Sequence, residues 1–392
     1  MLQASYTQML QYYNAGQYTQ ALKEGKHSFK SYDNPKLHLL WAKSAQKLGK
    51  TEEAMSAYER VLILDADNQE AQSALEAIYT KSNRSNLDIS FDENVRSDAL
   101  KIRANVALGY DDNINVNPGG DALDNYFGII GSQGKIGSRF LRFSANMAYT
   151  YYFEDYEGWF AKGVLDFYDQ SNFSAHLYDL RVATMEVGIG YENDSYRLYL
   201  PLRYNATHYL DKNLLEHYQF LPHITLPVWE SALLDINALY IQRAYVDAVD
   251  NVNDANTLGL GAGLYFPLYG DKVSLHLQYE KRTSDQNVHN KFLDAKFFRF
   301  DTSIQHHFTP KLFMDLSYLY RYGDYSDNIG TLILPNSNTR KDDFNQIDVK
   351  LTYDMSKKYA LYLRDTYAKN NSNYAPIKYS KNVMMFGVEF TY

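Results

Sequence analysis

Residues 100–110 read Leu100-Lys101-Ile102-Arg103-Ala104-Asn105-Val106-Ala107-Leu108-Gly109-Tyr110, and apolar residues fall on every even number. A period of two means an extended strand with one greasy and one polar face. The same pattern returns down the chain. Leu141, Phe143, Ala145, Met147, Tyr149 and Tyr151 oppose Arg142, Ser144, Asn146 and Thr150, and Leu312, Met314, Leu316, Tyr318, Tyr320 and Tyr322 oppose Asp315, Ser317 and Arg321. In another copy the polar side is a glycine run, Gly259, Gly261 and Gly263, which leaves room on that side for something such as a loop folded inward.

This alternation predicts fourteen strands at 100–110, 126–137, 140–153, 178–192, 196–209, 216–228, 232–243, 256–268, 273–282, 294–308, 312–323, 343–355, 359–368 and 380–392. Residues 154–177 read as a long loop with room for a further short hairpin. No stretch of 18 consecutive apolar residues occurs, so a helix cannot carry this chain across a bilayer and a closed barrel is the remaining way through.

Composition agrees. The 392 residues include 37 Tyr, 20 Phe and 3 Trp, and 45% are hydrophobic, which excludes a disordered chain. Tyrosine suits the two lipid–water boundaries that a membrane barrel must satisfy. No Cys is present, so disulfides, thiolate zinc sites and thiol catalysis are excluded. A net charge of −8 argues against nucleic acid as a partner.

Period two does not say which face is wet; the connections do. Ser138–Arg139, 193–195, 229–231, 269–272, 309–311 and 356–358 read as tight, whereas 111–125, 154–177, 244–255, 283–293, 324–342 and 369–379 read as long and polar. One-sided loop length is the habit of bacterial outer-membrane barrels, with short turns in the periplasm. An even strand number brings both ends of the barrel to that side. The last strand, with Met384, Phe386, Val388, Phe390 and Tyr392 alternating to a terminal aromatic, resembles the signal by which the outer-membrane assembly machinery recognises its clients; Phe386, Phe390 and Tyr392 carry it. The expected location is the cell outer membrane, in contact with its lipid. The first 25 residues lack a basic start followed by an apolar block, so a signal peptide is expected to have been removed.

Residues 1–86 are of a different kind. Gly16-Gln17-Tyr18-Thr19-Gln20-Ala21-Leu22 is echoed by Gly49-Lys50-Thr51-Glu52-Glu53-Ala54-Met55, a spacing near 33 residues. Leu37, Leu40, Trp41, Ala45 and Leu48 form one helical stripe; Ala54, Tyr58, Val61 and Leu62 form the next. Two helical hairpins follow, with 69–79 as a closing helix and 87–99 as a linker to a barrel at 100–392. Gly25 stands where the second copy has Tyr58, so the first copy reads as a degraded or capping unit. The match at Gly49, Ala54, Tyr58 and Asp65-Ala66-Asp67 resembles the tetratricopeptide repeat, which implies a periplasmic surface docking a client or synthase through the helices that carry Trp41 and Tyr58.

A short tetratricopeptide-like segment ahead of a 14-stranded antiparallel transmembrane barrel resembles the surface lipoprotein assembly modulators. The resemblance implies capture of a surface lipoprotein or other secreted protein by the repeats and its passage through, or assembly beside, the barrel. Exopolysaccharide exporters share the plan, and a plain diffusion porin or an adhesive surface protein are the other readings. No family site carries over residue by residue.

On the polar face, Arg103, Arg142, Arg197, Arg203, Asp235, Arg299, Asp301, Asp315, Arg321, Asp348 and Arg364 are expected to line the lumen, as conduit wall or as pairs that fix its shape. The Asp/Asn-rich loop 111–124 offers oxygens for a hard cation without the spacing of an established calcium loop, and polar turn chemistry accounts for it. His306-His307 on a strand point to opposite faces, and no nucleophile–base set stands out, so neither enzyme activity, metal nor cofactor is expected.

Overall fold

The computed structural model describes residues 2–28, 34–65, 68–75, 99–114, 135–154, 156–229, 231–247, 253–285, 293–326, 339–373 and 378–392. The chain divides into two compact units, Met1–Ser90 and Phe91–Tyr392. Of the expected linker at 87–99, residues 87–98 lie outside the described residues, and Ala99 begins the first strand.

In the first unit α1 (Leu2–Asn14), α2 (Tyr18–Ser28), α3 (Pro35–Lys47) and α4 (Thr51–Leu64) are followed by helical residues at 69–75. Gly16 and Gly49 sit between paired helices at φ 72° and 70°, left-handed turns that a side chain would strain. Asn34 caps α3, its Oδ1 accepting from Lys36 N at 3.0 Å, with Pro35 at the first turn. One apolar core joins the helices and includes Met9, Leu37, Trp41, Ala54, Tyr58 and Val61. Trp41 and Tyr58, expected on the docking helices, are therefore interior side chains at 8% and 1% exposure and are not available to a partner. Gly25 is also accounted for. A Cβ there would meet the Trp41 ring at 2.5 Å, so the glycine seats the indole.

The second unit is a closed antiparallel barrel of fourteen strands: β1 (Ala99–Asp111), β2 (Ser138–Tyr152), β3 (Trp159–Asn172), β4 (Leu180–Glu192), β5 (Arg197–Tyr209), β6, β7 (Ala232–Tyr245), β8 (Ala255–Leu268), β9 (Asp271–Ser284), β10 (Ala295–His307), β11 (Leu312–Tyr325), β12 (Lys341–Asp354), β13 (Tyr359–Ser372) and β14 (Tyr379–Thr391). The sixth comes in two pieces, Lys212–Phe220 and His223–Trp229, each hydrogen-bonded to β5 on one side and β7 on the other. The interruption falls at Pro222, which has no N–H to give the ladder. Each strand pairs with its neighbours in sequence, and β1 closes on β14 from Arg103↔Thr391 to Asp111↔Val383.

Fourteen is the expected number, but one strand differs. The expected strand at 126–137 lies mostly outside the described residues, and 135–137 are not in a strand. Residues 154–177, expected as a long loop, contain β3. The outer set Trp159, Ala161, Gly163, Leu165 and Phe167 is harder to see because Ala161 and Gly163 leave its apolar side thin. Ser138–Arg139 accordingly begin β2 and are not a turn.

The corrected connections keep the asymmetry. At one end lie 153–158, 193–196, 230–231, 269–270, 308–311 and 355–358; at the other 112–137, 173–179, 246–254, 285–294, 326–340 and 373–378. One loop on the long side breaks the rule: Leu210 and Asp211, both at positive φ, form a two-residue hairpin between β5 and β6. Ala99 and Tyr392 are at the short-turn end.

The outside of this ring is apolar and unpacked. Leu202, Leu258, Leu260, Leu277 and Phe386 are each about half exposed or more, in the middle of their strands. Aromatics stand at both rims, with Tyr149, Trp159, Tyr269 and Tyr359 toward the short turns and Tyr110, Phe173, Tyr279 and Tyr367 toward the long loops. An apolar band between two aromatic girdles is what a bilayer requires of a barrel.

Candidate functional site

The polar half of the alternation faces inward, interspersed with apolar residues such as Leu180, Val182 and Leu239, so the lumen is the chemically distinctive part of the molecule. The described residues enclose within it a cavity of about 990 Å³. Arg103, Arg203, Arg299, Arg321 and Lys350 line it alongside Asp166, Glu280, Asp301 and Glu389. A ring of fourteen strands is too wide for its side chains to fill.

The wall charges are tied across neighbouring strands. Arg203 on β5 donates through Nε and Nη2 to Glu186 of β4 at 2.9 and 2.7 Å, and the Tyr199 hydroxyl adds a bond at 3.0 Å. Arg364 on β13 donates to Asp348 of β12 at 2.7 Å, and Thr366 donates to the same carboxylate. Lys350 reaches past β13 to Glu389 on β14 at 2.8 Å. Two-point guanidinium–carboxylate contact fixes geometry as well as charge.

The glycine run on β8 has a specific use. A Cβ on Gly261 would meet Asn237 Oδ1 at 2.7 Å, one on Gly259 would meet Leu239, and one on Gly263 would meet His276 and Tyr265. Side chains of the flanking strands β7 and β9 thus meet over the bare β8 backbone, and Asn237 Nδ2 lies 3.2 Å from His276 Nε2. The room expected for a loop is taken by these neighbours. His276 Nδ1 in turn lies 3.5 Å from Asp301, which also holds Arg299 Nε at 2.7 Å. Asn237 and His276 were missed in the sequence because nothing along one strand shows that the next strand's glycines leave a gap.

Of the eleven residues expected in the lumen, Arg103, Arg203, Arg299, Asp301 and Arg321 line the cavity, and Asp348 and Arg364 pair as above. Arg142 lies nearer the long loops, donating to Gln170 Oε1 at 2.6 Å with its guanidinium over the Phe140 and Tyr168 rings. Arg197 sits near the short turns, over Phe160 and 3.4 Å from Glu192. Asp235 accepts from Thr225 at 2.9 Å, and Asp315 accepts from Gln305 at 2.8 Å.

On β14, Phe386 faces outward, Phe390 packs on Tyr359, and Lys358 lies over the ring of Tyr392. The backbones of Tyr392 and Ile102 exchange both hydrogen bonds, 2.8 and 2.9 Å, so the last residue helps to close the ring. In the segment read as a cation loop, Asp111 is engaged by Lys381 and by Asn113 N, and Asp112 by Lys135 and Asn382 N. Turn and seam contacts use these carboxylates, while 115–124 lie outside the described residues. Among the described residues no group of three metal-ligating side chains converges. His306 contacts Asp271 and lies against Phe308, and His307 faces Phe313.

Comparison with known proteins places the end of the chain in context. Residues 295–392, which hold β10 to β14, match the family described as "Putative beta-barrel porin 2". A search of curated protein sequences finds no match. Among solved structures, the outer membrane channel DcaP of Acinetobacter baumannii is similar at 10% identity and a TM-score of 0.44, covering 78% of this chain and 100% of that one. The anion-selective porin of Comamonas acidovorans shares 12% identity at 0.41, covering 76% and 99%, and OmpT of Vibrio cholerae 7% at 0.41, covering 77% and 100%. The fold is that of an outer-membrane β-barrel.

Proposed function

We propose that this protein is an outer-membrane channel that lets small hydrophilic solutes diffuse across the bilayer. The observation that carries the reading is the closed ring itself, apolar where lipid would touch it and holding a charged cavity of about 990 Å³ inside. Salt bridges between adjacent strands brace the wall against collapse, and their remaining polar atoms substitute for part of a solute's hydration shell. The porin family match over the last five strands supports the same reading.

With the short turns in the periplasm, as in outer-membrane barrels generally, β1 begins and Tyr392 ends on the periplasmic side, which supports a periplasmic location for the helical unit. The alternating aromatics of β14 suit handling by the barrel assembly machinery. Passage of a secreted client is the competing reading. It needs an exposed docking face on the helices, and the burial of Trp41 and Tyr58 takes away the residues first assigned to it.

Planar-bilayer recording on the full chain separates the two. A diffusion channel gives steady conductance steps without any partner, and the same steps after removal of residues 1–86. A barrel that never conducts until a client is supplied overturns the channel reading.

A further inference from the structure

The charges lining the cavity are tied off in pairs of opposite sign. Glu186 holds Arg203, Asp301 holds Arg299 at 2.7 Å, Glu389 holds Lys350 at 2.8 Å, and Glu280 lies 3.9 Å from Arg321. The remaining two, Arg103 and Asp166, flank Asn146 in the register, and its amide donates to Asp166. An ion in this cavity must compete with a counter-charge already in place. A neutral solute has only to exchange hydrogen bonds with water.

One stretch of the wall carries no charge. Thr184, Asn205 and His217 stand opposite one another on β4, β5 and the first piece of β6, and Gln219 follows two positions along from His217. All four line the cavity. Asn205 and His217 are each 5% exposed, and Asn205 Oδ1 and His217 Nδ1 have no hydrogen-bond partner among the described residues. Unpaired buried polar atoms are costly, and a solute that completes them recovers that cost.

The side chains set the chemistry of that solute. An amide oxygen accepts, a neutral imidazole offers one donor and one acceptor, and a threonine hydroxyl does both. Opposed positions on adjacent strands lie about 5 Å apart, a span that a diol covers with two hydroxyls. An anion there meets the Asp166 carboxylate beside Thr184, and a cation meets Arg243 beside His217. Tyr168 and Val182, opposite each other in the neighbouring row, also line the cavity and offer an apolar surface to the C–H faces of a sugar ring.

We infer that Thr184, Asn205, His217 and Gln219 form a subsite of the lumen for neutral polyhydroxylated solutes, sugars and polyols, which pass in preference to ions of similar size. The inference rests on the channel reading and names its solute class.

The test is made on the full-length protein, with glucose as the neutral probe and gluconate and glucosamine as ions of nearly the same size. In a planar bilayer glucose is expected to block the potassium chloride current in a saturable way, and in swelling proteoliposomes it enters faster than either ion. Asn205→Leu and His217→Leu each raise the half-blocking concentration about fivefold, the loss of one hydrogen bond, whereas Arg181→Gln, at a residue paired with Asp169 on the outer face, leaves it in place. A channel that conducts but is not blocked by glucose, or that admits either ion as fast as glucose, overturns the subsite and leaves the channel reading standing. So does a block that both leucine variants keep at wild-type strength. Absence of conductance overturns the channel reading, and the subsite with it. The wild-type measurements decide the solute class even where a variant fails to fold.

Discussion

Lys381 Nζ lies 2.7 Å from Asp111 Oδ2 with both side chains almost wholly buried, and the two residues belong to the last and first strands of the ring. The contact sits where a barrel is most exposed to failure. Its strands are laid down in sequence, and at the seam between β14 and β1 residues more than 250 positions apart must meet. Asn113 Nδ2 donates to the Ser380 carbonyl at 2.9 Å beside it.

Removing one partner of a buried pair strands the other charge, at a cost of about 3–5 kcal/mol. Lys381→Met is therefore expected to lower the temperature at which the folded band disappears in heat-modifiable electrophoresis. Asp111→Leu combined with Lys381→Met recovers most of that loss. Equal melting of the single and double variants would show that the pair does not hold the seam.

Leu260 stands on the outer face of β8 at 67% exposure, and Gln278, on neighbouring β9, points inward. Leu260→Arg is expected to cost about 2–4 kcal/mol in lipid. Gln278→Arg has an aqueous lumen to enter and folds with near wild-type yield. Refolding yields into vesicles compare them, and equal losses would mean that the two faces are assigned wrongly.

Gly25→Ala drives a methyl into the Trp41 indole. Overpacking of this kind costs about 1–3 kcal/mol. The helical far-ultraviolet signal of the full chain is expected to melt earlier while the barrel's band shift stays where it was.

The Tyr58 hydroxyl donates to Gln46 Oε1 at 2.8 Å, and burial pushes its phenol up from 10.0 to about 12. A folded-state pKa above the unfolded one means that the folded form keeps its proton while the unfolded chain gives it up. The stabilisation is complete below pH 10 and drains away as pH rises through about 12. The helical unit is expected to lose stability over that window, with a shallower fall in Tyr58→Phe, read by denaturant melts of the helical signal at stepped pH.

Most of the barrel was legible along the chain because membrane and lumen impose a period of two on every strand that touches both. Leu100 to Tyr110 carries that period without a gap. β3 does not, since Ala161 and Gly163 blunt its outer face, and the strand passed for loop. The wall arginines could be placed on the inside from parity, but parity says nothing of height, so Arg142 and Arg299 looked equivalent until the strands were aligned.

Residue order therefore determined the class of structure and which face of most strands meets lipid, since these follow from local alternation and the lengths of the connections. Tertiary structure decided who meets whom: Asn237 with His276 across the bare β8 glycines, Lys381 with Asp111 across the seam, Trp41 on Gly25 in the helical core. Register and stagger between strands, and the fit of one helix on another, are properties of pairs of segments, and a single segment's pattern does not contain them.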